Sequence, residues 1–489
     1  MDSFLETLSN INGEVNSFIW GPWLLIPLLL GVGLYLTIRL KLVQIFKLGP
    51  ALMLGLIRRK DKGADTEGDI TQFQALTTAL AATVGVGNIV GVAGAILIGG
   101  PGALFWMWVT GILGMATKYT EAFLAVRFRT TDANGQKSGG PQYYLQKGIK
   151  NGFGKFLAIS FAIFAFLASF GIGNMTQSNA IAVNVESSFG IPLWITGLIL
   201  AVLTAAVIIG GIKSIGRVTS ALVPVMIVFY IIAALYILIA NVGAIPAAFG
   251  EVFSQAFTGT AAVGGFIGST FLIAMQLGVA RGLFSNESGL GSAPIAAAAA
   301  KTTHPVRQGL VSMTQTFIDT IVVVTFTGLV LITSGVWKEE GVEKGTATGD
   351  AFAQQLPGDW GHILVTVALI LFAFSTIIGW SYYGERNVER LFGVRGIMPY
   401  RLVFSAVVFV GAISQLEEVW TLADSLNGLM AIPNLIGLVI LSGLVARETS
   451  LYLKNDPKLT ANKAEIDRFM AEDPGYQEWK KLEKEQHFR

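Results

Sequence analysis

Residues 77–91 run Thr-Thr-Ala-Leu-Ala-Ala-Thr-Val-Gly-Val-Gly-Asn-Ile-Val-Gly, which places Gly85, Gly87, Gly91 and Asn88 inside a hydrophobic stretch long enough to cross a bilayer. The chemistry open to such a run belongs to the main chain. In hydrocarbon an unpaired backbone N–H or C=O is costly, so a helix unwinds at mid-depth only where the freed groups meet protein, water or a ligand. A half-helix N-terminus offers N–H groups and partial positive charge to a carboxylate, and freed carbonyls offer oxygens to a small cation. No charged side chain stands between Thr77 and Leu97. A zwitterion and a sodium ion fit that donor set. Asn88 adds an amide that donates to a carboxylate or accepts from an ammonium or cation; its competing role is to satisfy the broken backbone itself.

Few titratable groups accompany this break. Asp319 is the one obvious carboxylate in mid-span, where it serves either as a coupling carboxylate or as a structural one bonded to Thr316, Thr320 or a neighbouring helix. Lys118 and Glu121 have the i, i+3 spacing of a helical pair near a helix end, for which a solvated or snorkelling pair is the simpler reading. Arg281 and Glu287 are spaced to close a gate at the inner face, or else serve topology and loop capping. His304, His362 and His487 fall in loops or at ends, no metal-ligand spacing occurs, and cysteine is absent. These features exclude thiolate chemistry and argue against an enzyme.

The elements that must hold these residues are membrane helices. The 489-residue chain is 53% hydrophobic and 13% charged, with a mean hydropathy of +0.61, far above ordinary soluble usage. About 20 apolar residues cross a hydrocarbon core roughly 30 Å thick. Eleven stretches qualify, near 19–38, 72–98, 102–126, 154–185, 190–210, 215–240, 261–283, 306–335, 360–383, 399–415 and 418–446. With the N-terminus outside and the C-terminus inside, every one of the 34 basic residues except Lys338 and Lys344 lies in or beside a cytoplasmic segment. No basic residue precedes Arg39, so a cleaved signal peptide is not expected. The net charge of +2 belongs to topology and gives no reason to expect nucleic acid.

The chain divides into 1–71 (an outside segment, an extra helix and an interfacial helix near Pro50–Leu56), two halves at 72–240 and 241–446, and a charged cytoplasmic tail at 447–489 read as a solvated appendage. Each half opens on a glycine-interrupted span. Gly85, Gly87 and Gly91 mark the first, and Gly264, Gly265, Gly268 and Gly278 the second. Two such interruptions at corresponding positions are the pattern of an inverted repeat built around a mid-membrane site.

The run Gly99-Gly100-Pro101-Gly102-Ala103-Leu104-Phe105-Trp106-Met107-Trp108-Val109-Thr110-Gly111-Ile112-Leu113-Gly114 resembles the signature of the alanine or glycine:cation symporter family. Residues 173–179, 285–294 and 379–385 are similar to further segments of that family. The resemblance implies an all-α membrane protein with one N-terminal helix plus a leucine-transporter-like 5+5 core, its first and sixth core helices broken. It also implies sodium-coupled uptake of small neutral amino acids in a bacterial or archaeal plasma membrane. Na+ is then the co-transported ion, no cofactor is needed, and the partners are the amino acid, Na+ and the lipid bilayer, with no obligate protein partner evident.

Carried onto this sequence, the resemblance puts Gly85, Gly87, Asn88, Gln177, Thr376 and Trp380 at the substrate, and Ala81, Val84, Phe372, Ser375 and Thr376 at the cation. Gln177 stands among Thr176, Ser178 and Asn179, a cluster also explained by hydrogen bonds between helices. Thr376 and Trp380 share one helical face. Phe271 and Met275 would join Trp380 in walling a cavity with room only for a hydrogen or a methyl side chain, or else face lipid or fill the bundle. A proton-coupled or differently selective amino-acid transporter is the main alternative, and a channel a weaker one.

Overall fold

The computed structural model describes residues 12–21, 23–59, 61, 68–258, 267–356, 358, 360–414 and 417–486. Apart from one ribbon, Thr130–Thr131 paired antiparallel with Lys137–Ser138, the regular structure among them is helical. Six described helices are long and apolar enough to cross a bilayer, and a bent pair makes up to seven.

The chain enters the bundle through α1 (Leu25–Arg39). Helix α2 (Gln72–Thr83) starts at a reciprocal cap, in which the Thr71 side chain accepts from Gln74 N–H while the Gln74 side chain accepts from Thr71 N–H. It stops at Val84, whose ψ of 89° leaves the helical region. Helix α3 (Gly87–Gly99) resumes with its axis turned by 52°. Gly100, at φ +73°, and Pro101 then turn the chain into α4 (Gly102–Arg127), which lies against α1 and several later helices. Helix α5 (Gly152–Phe189) is capped by the Asn151 side chain and closed by left-handed Gly190. Helices α6 (Leu193–Ile208) and α7 (Gly211–Ala240) finish the first half.

The second half contains α8 (Ile245–Thr258), α9 (Ile267–Asn286), α10 (Pro305–Ser334), α11 (Ala347–Ala353), α12 (Trp360–Phe392), α13 (Ile397–Ile413) and α14 (Glu417–Asn455). Of the four π-helical turns among the described residues, three lie inside the bundle: Gly87–Gly91, Gly171–Met175 in α5, and Phe317–Val324 in α10. Such turns widen the hydrogen-bond ladder and frequently mark functional positions.

Two expectations change here. Gly268 and Gly278 lie within the uninterrupted helix α9, while Gly264 and Gly265 fall outside the described residues. The reason for the α9 glycines is packing: a Cβ on Gly278 would stand 2.4 Å from the Ala103 carbonyl, and one on Gly282 2.3 Å from Thr110 Oγ1, so they let α9 lie directly on α4. The interruption comes later, where α9 ends at Asn286 and the chain runs irregularly to the short helix Pro294–Ala298. The second change concerns the tail. Helices α15 (Lys463–Met470) and α16 (Pro474–Gln486) pack on the bundle, burying Ile466, Met470, Tyr476 and Trp479 instead of standing in solvent.

Candidate site at two interrupted helices

The first interruption is held by its own Asn88 and by Gln177 from α5. Gly85 N–H donates to Asn88 Oδ1 at 3.0 Å, and Val86 N–H donates to Gln177 Oε1 at 3.3 Å. These are the backbone donors that unwinding frees. The other end of the Asn88 amide donates to Asp319 Oδ1 at 2.8 Å, while Ser285 and Thr320 hydroxyls each donate to Asp319 Oδ2 at 2.8 Å. Asn88 and Asp319 are fully buried and Gln177 nearly so. One carboxylate therefore ties the first interruption, through Asn88, to the last turn of α9, through Ser285.

The freed carbonyls face α12. Ser375 Oγ donates to Ala81 O at 3.2 Å, and Thr376 Oγ1 to Ala81 O at 3.0 Å and Val84 O at 3.5 Å; both hydroxyls also reach Phe372 O, at 2.8 and 3.1 Å. Five oxygens, two from hydroxyls and three from carbonyls, thus converge without a formal charge. This close approach depends on Gly85, where a Cβ would lie 2.4 Å from Thr376 Oγ1 and 3.1 Å from Gln177 Oε1. Gly173, in the π-helical turn of α5, gives the same clearance to Trp380, whose Cβ would be 2.2 Å from an added methyl.

The structure thus brings together Ala81, Val84, Gly85, Asn88, Gln177, Asp319, Phe372, Ser375 and Thr376. Gly87 lies beside them against the Phe284 ring, and Trp380 stands one turn along α12 from Thr376. Phe271 and Met275 do not join this group. Phe271 packs edge-on against Trp106 with ring centroids 6.0 Å apart. It precedes Ser285 by fourteen helical residues, about 21 Å along the axis, and Met275 by ten, about 15 Å. The interruption follows Asn286, beyond the glycines that suggested it, and no contact described for Phe271 or Met275 reaches Trp380.

The second interruption, residues 287–293, is held by groups that looked interfacial in the sequence. Glu121 Oε1 accepts from Gly289 N–H and Gly291 N–H, each at 3.1 Å, and from Asn434 Nδ2 at 2.6 Å. Lys118 Nζ donates to Glu287 O at 3.0 Å and stands 3.7 Å from Glu121 Oε2. Lys118 and Glu121 are completely buried. They neither snorkel nor meet solvent, because the unwound backbone needs an acceptor and a donor where water does not reach. Gly289 and Gly291 carry φ of +92° and +84°, the left-handed conformation that lets the chain turn there. The pairing of Arg281 with Glu287 is also replaced: Arg281 lies 3.6 Å from Asp424 on α14.

Residues 5–466 match the model of the sodium:alanine symporter family. The chain is 55% identical over 461 residues to a sodium/alanine symporter, AgcS, of Methanococcus maripaludis, covering 93% of this chain and all of that protein. It is 37% identical to a probable sodium/glutamine symporter, GlnT, of Bacillus subtilis, over 90% of each. The crystal structure of MhsT in complex with L-phenylalanine superposes with a TM-score of 0.54 at 14% identity, covering 79% of this chain and 99% of that one, so the two share a leucine-transporter-like fold. These relatives are transporters rather than enzymes. The chain belongs to the sodium:alanine symporter family.

Proposed function

We propose that this protein carries alanine and glycine into the cell together with sodium, by alternating access. The observation that supports this most strongly is the convergence of Ser375 and Thr376 hydroxyls on the Ala81 and Val84 carbonyls beside an interruption braced by Asn88 and Gln177. A neutral oxygen cage suits a hard monovalent cation. The backbone N–H groups at Gly85 and Val86 suit a carboxylate, for which the Asn88 and Gln177 amides stand in until a substrate arrives. Trp380 closes the side where a substrate's own side chain would lie, which favours a hydrogen or a methyl group.

In this reading the chain crosses the membrane eleven times, N-terminus outside and C-terminus inside, and residues 72–240 and 241–446 are inverted halves. Their interruptions are residues 84–86 and 287–293. One sodium falling through about 100 mV releases roughly 2.3 kcal/mol, and a tenfold gradient adds about 1.4 kcal/mol. Together they sustain an alanine accumulation on the order of several hundredfold. A zwitterion adds no net charge, so each sodium carries one positive charge inward.

A second reading is favoured by one feature. Asp319 is a buried carboxylate bonded to Asn88 at the first interruption and to Ser285 in the last turn of α9, just before the second, which is where a coupling proton would act. The probable sodium/glutamine symporter among the relatives supports a wider choice of side chain. Uptake in proteoliposomes separates the readings, with alanine, glycine, glutamine and leucine each driven by a sodium, potassium or proton gradient. Sodium-driven accumulation of alanine and glycine, with leucine excluded, is the expected result. Equal alanine accumulation without sodium contradicts it.

A further inference from the structure

The two interruptions leave two inner pieces, residues 68–83 and 294–304, and the main chain ties them together. Asp69 N–H and Ile70 N–H donate to Ala299 O at 2.8 and 3.2 Å, and Lys301 N–H donates to Ile70 O at 2.7 Å. Joined in this way, and each parted from its outer half by irregular backbone, they can turn as one body. The tail grips that body. His304 lies against Tyr452 of α14 and against Tyr476 and Trp479 of α16, with ring centroids 4.5, 5.6 and 5.6 Å away. Asp61 accepts from Thr303 N–H and Thr303 Oγ1, each at 2.7 Å, and from Arg307, whose other terminal nitrogen donates to Asp456 Oδ2 at 2.9 Å and Ala461 O at 2.5 Å.

The tail is itself anchored elsewhere. Between α14 and α15 the chain is held by its carbonyls: Lys47 Nζ donates to Pro457 O at 3.1 Å and Arg58 Nη1 to Leu459 O at 2.7 Å. Leu459 is buried and left-handed, at φ +55°, a backbone state that a residue with a Cβ keeps only where its surroundings impose it. Farther along, Arg127 of α4 donates to Gly475 O at 2.6 Å, and Lys150, just before α5, pairs with Glu478 at 3.0 Å. The tail thus bridges the joined inner pieces to the surface segment 43–58, to α4 and to the start of α5.

We infer that the tail is a latch on the inner face. Docked on His304 and Arg307, it holds the joined inner pieces closed, and its release favours the swing that opens the site to the cytoplasm. The inference rests on the topology and the alternating access proposed above. Contacts made only in the closed state shift the equilibrium toward it by their own free energy. Asn88, Gln177, Ser375 and Thr376 bond to other partners, so the latch acts on opening and not on the contacts to ion or substrate.

The chain has no cysteine, so single substitutions report on opening. Thr77→Cys, at a buried position of α2, is labelled with a membrane-impermeant maleimide in inside-out vesicles without sodium. The full chain is compared with a Tyr476→Ala/Trp479→Ala chain and with a chain ending at residue 462. Both altered chains are expected to label about threefold faster or more. In the opposite sense, a bismaleimide joining Lys150→Cys to Glu478→Cys is expected to slow sodium-driven alanine uptake in proteoliposomes about threefold or more, relative to the same protein untreated. Unchanged labelling in the Tyr476→Ala/Trp479→Ala chain, or uptake unaffected by the cross-link, overturns the latch. Labelling that responds in a protein without sodium-driven alanine uptake overturns the transport reading instead and leaves the latch standing.

Discussion

The Asn88 amide works in both directions at once, its oxygen toward Gly85 N–H and its nitrogen toward Asp319. No other neutral side chain of that length does both, because the two ends must be an acceptor and a donor. Asn88→Ala leaves a freed backbone N–H in hydrocarbon and removes one of three donors from Asp319, a loss of about 1–3 kcal/mol. We expect alanine uptake at sub-saturating concentration to fall about tenfold or more at equal expression, measured by initial rates; rates unchanged from the parent contradict the assignment. Gly85→Ala should abolish sodium stimulation while the protein still elutes as a single folded species, since its methyl would occupy the Thr376 hydroxyl position. Both residues were legible in the sequence by type and spacing alone. The partner of Asn88 was not, because Asp319 lies 231 residues away and only the packing of α10 brings it there.

The two interruptions differ in how plainly a sequence announces them. At Gly85–Asn88 the glycines and the amide sit where the helix breaks, so composition and position agree. In α9 the glycines serve close packing on α4, and the break follows at Glu287-Ser288-Gly289-Leu290-Gly291, whose glycine and serine content equally suits an ordinary turn between helices. Lys118 and Glu121 misled for a related reason: charges near a helix end are normally solvated, and nothing in their spacing shows that unwound backbone lies opposite them. Their role has a measurable consequence. Lys118→Met leaves the Glu287 carbonyl without its donor and the buried Glu121 carboxylate without its countercharge, and should destabilise the protein by about 3–5 kcal/mol. Glu121→Gln on that background should recover part of the loss. Denaturation midpoints in detergent check this, and equal midpoints for parent and Lys118→Met contradict it.

Across the whole molecule, the tail joins the end of the bundle to the segment before α2. Arg307, at the start of α10, reaches Asp61 at 2.5 Å, Asp456 at 2.9 Å and Tyr452 Oη at 2.7 Å, while Arg127 donates to Gly475 O at 2.6 Å. His304 is stacked between Tyr452 and Tyr476, with ring centroids 4.5 and 5.6 Å away. Burial, and then the nearby Arg307, Arg127 and Lys480, hold its pKa well below the usual 6.5. A histidine kept neutral when docked contributes fully above its ordinary value, and that contribution is lost as pH falls through it, because only the undocked ring takes a proton. The Asp456 carboxyl is also lowered, by the Arg307 bond and the Thr460 N–H against the opposing effect of burial, so its contribution is lost only near and below 3.8. Protease cleavage within residues 471–486 should therefore rise as pH drops from about 7.5 to about 5.5, and His304→Phe should remove that response. A pH-independent cleavage rate in the parent contradicts it. The composition of the tail gave no sign of this docking, because its apolar residues are few and dispersed among charges.

The claim on which the rest depends is that main-chain oxygens at the first interruption, with the Ser375 and Thr376 hydroxyls, hold the ion that admits the amino acid. Equilibrium binding of alanine to purified protein, titrated with sodium for the parent and for Thr376→Val, tests it most directly. We predict that sodium raises alanine affinity at least tenfold in the parent, and that Thr376→Val shifts the sodium half-saturation upward at least tenfold while alanine still binds at saturating sodium. Superimposable sodium curves for the two proteins, or alanine binding indifferent to sodium in the parent, would contradict the account.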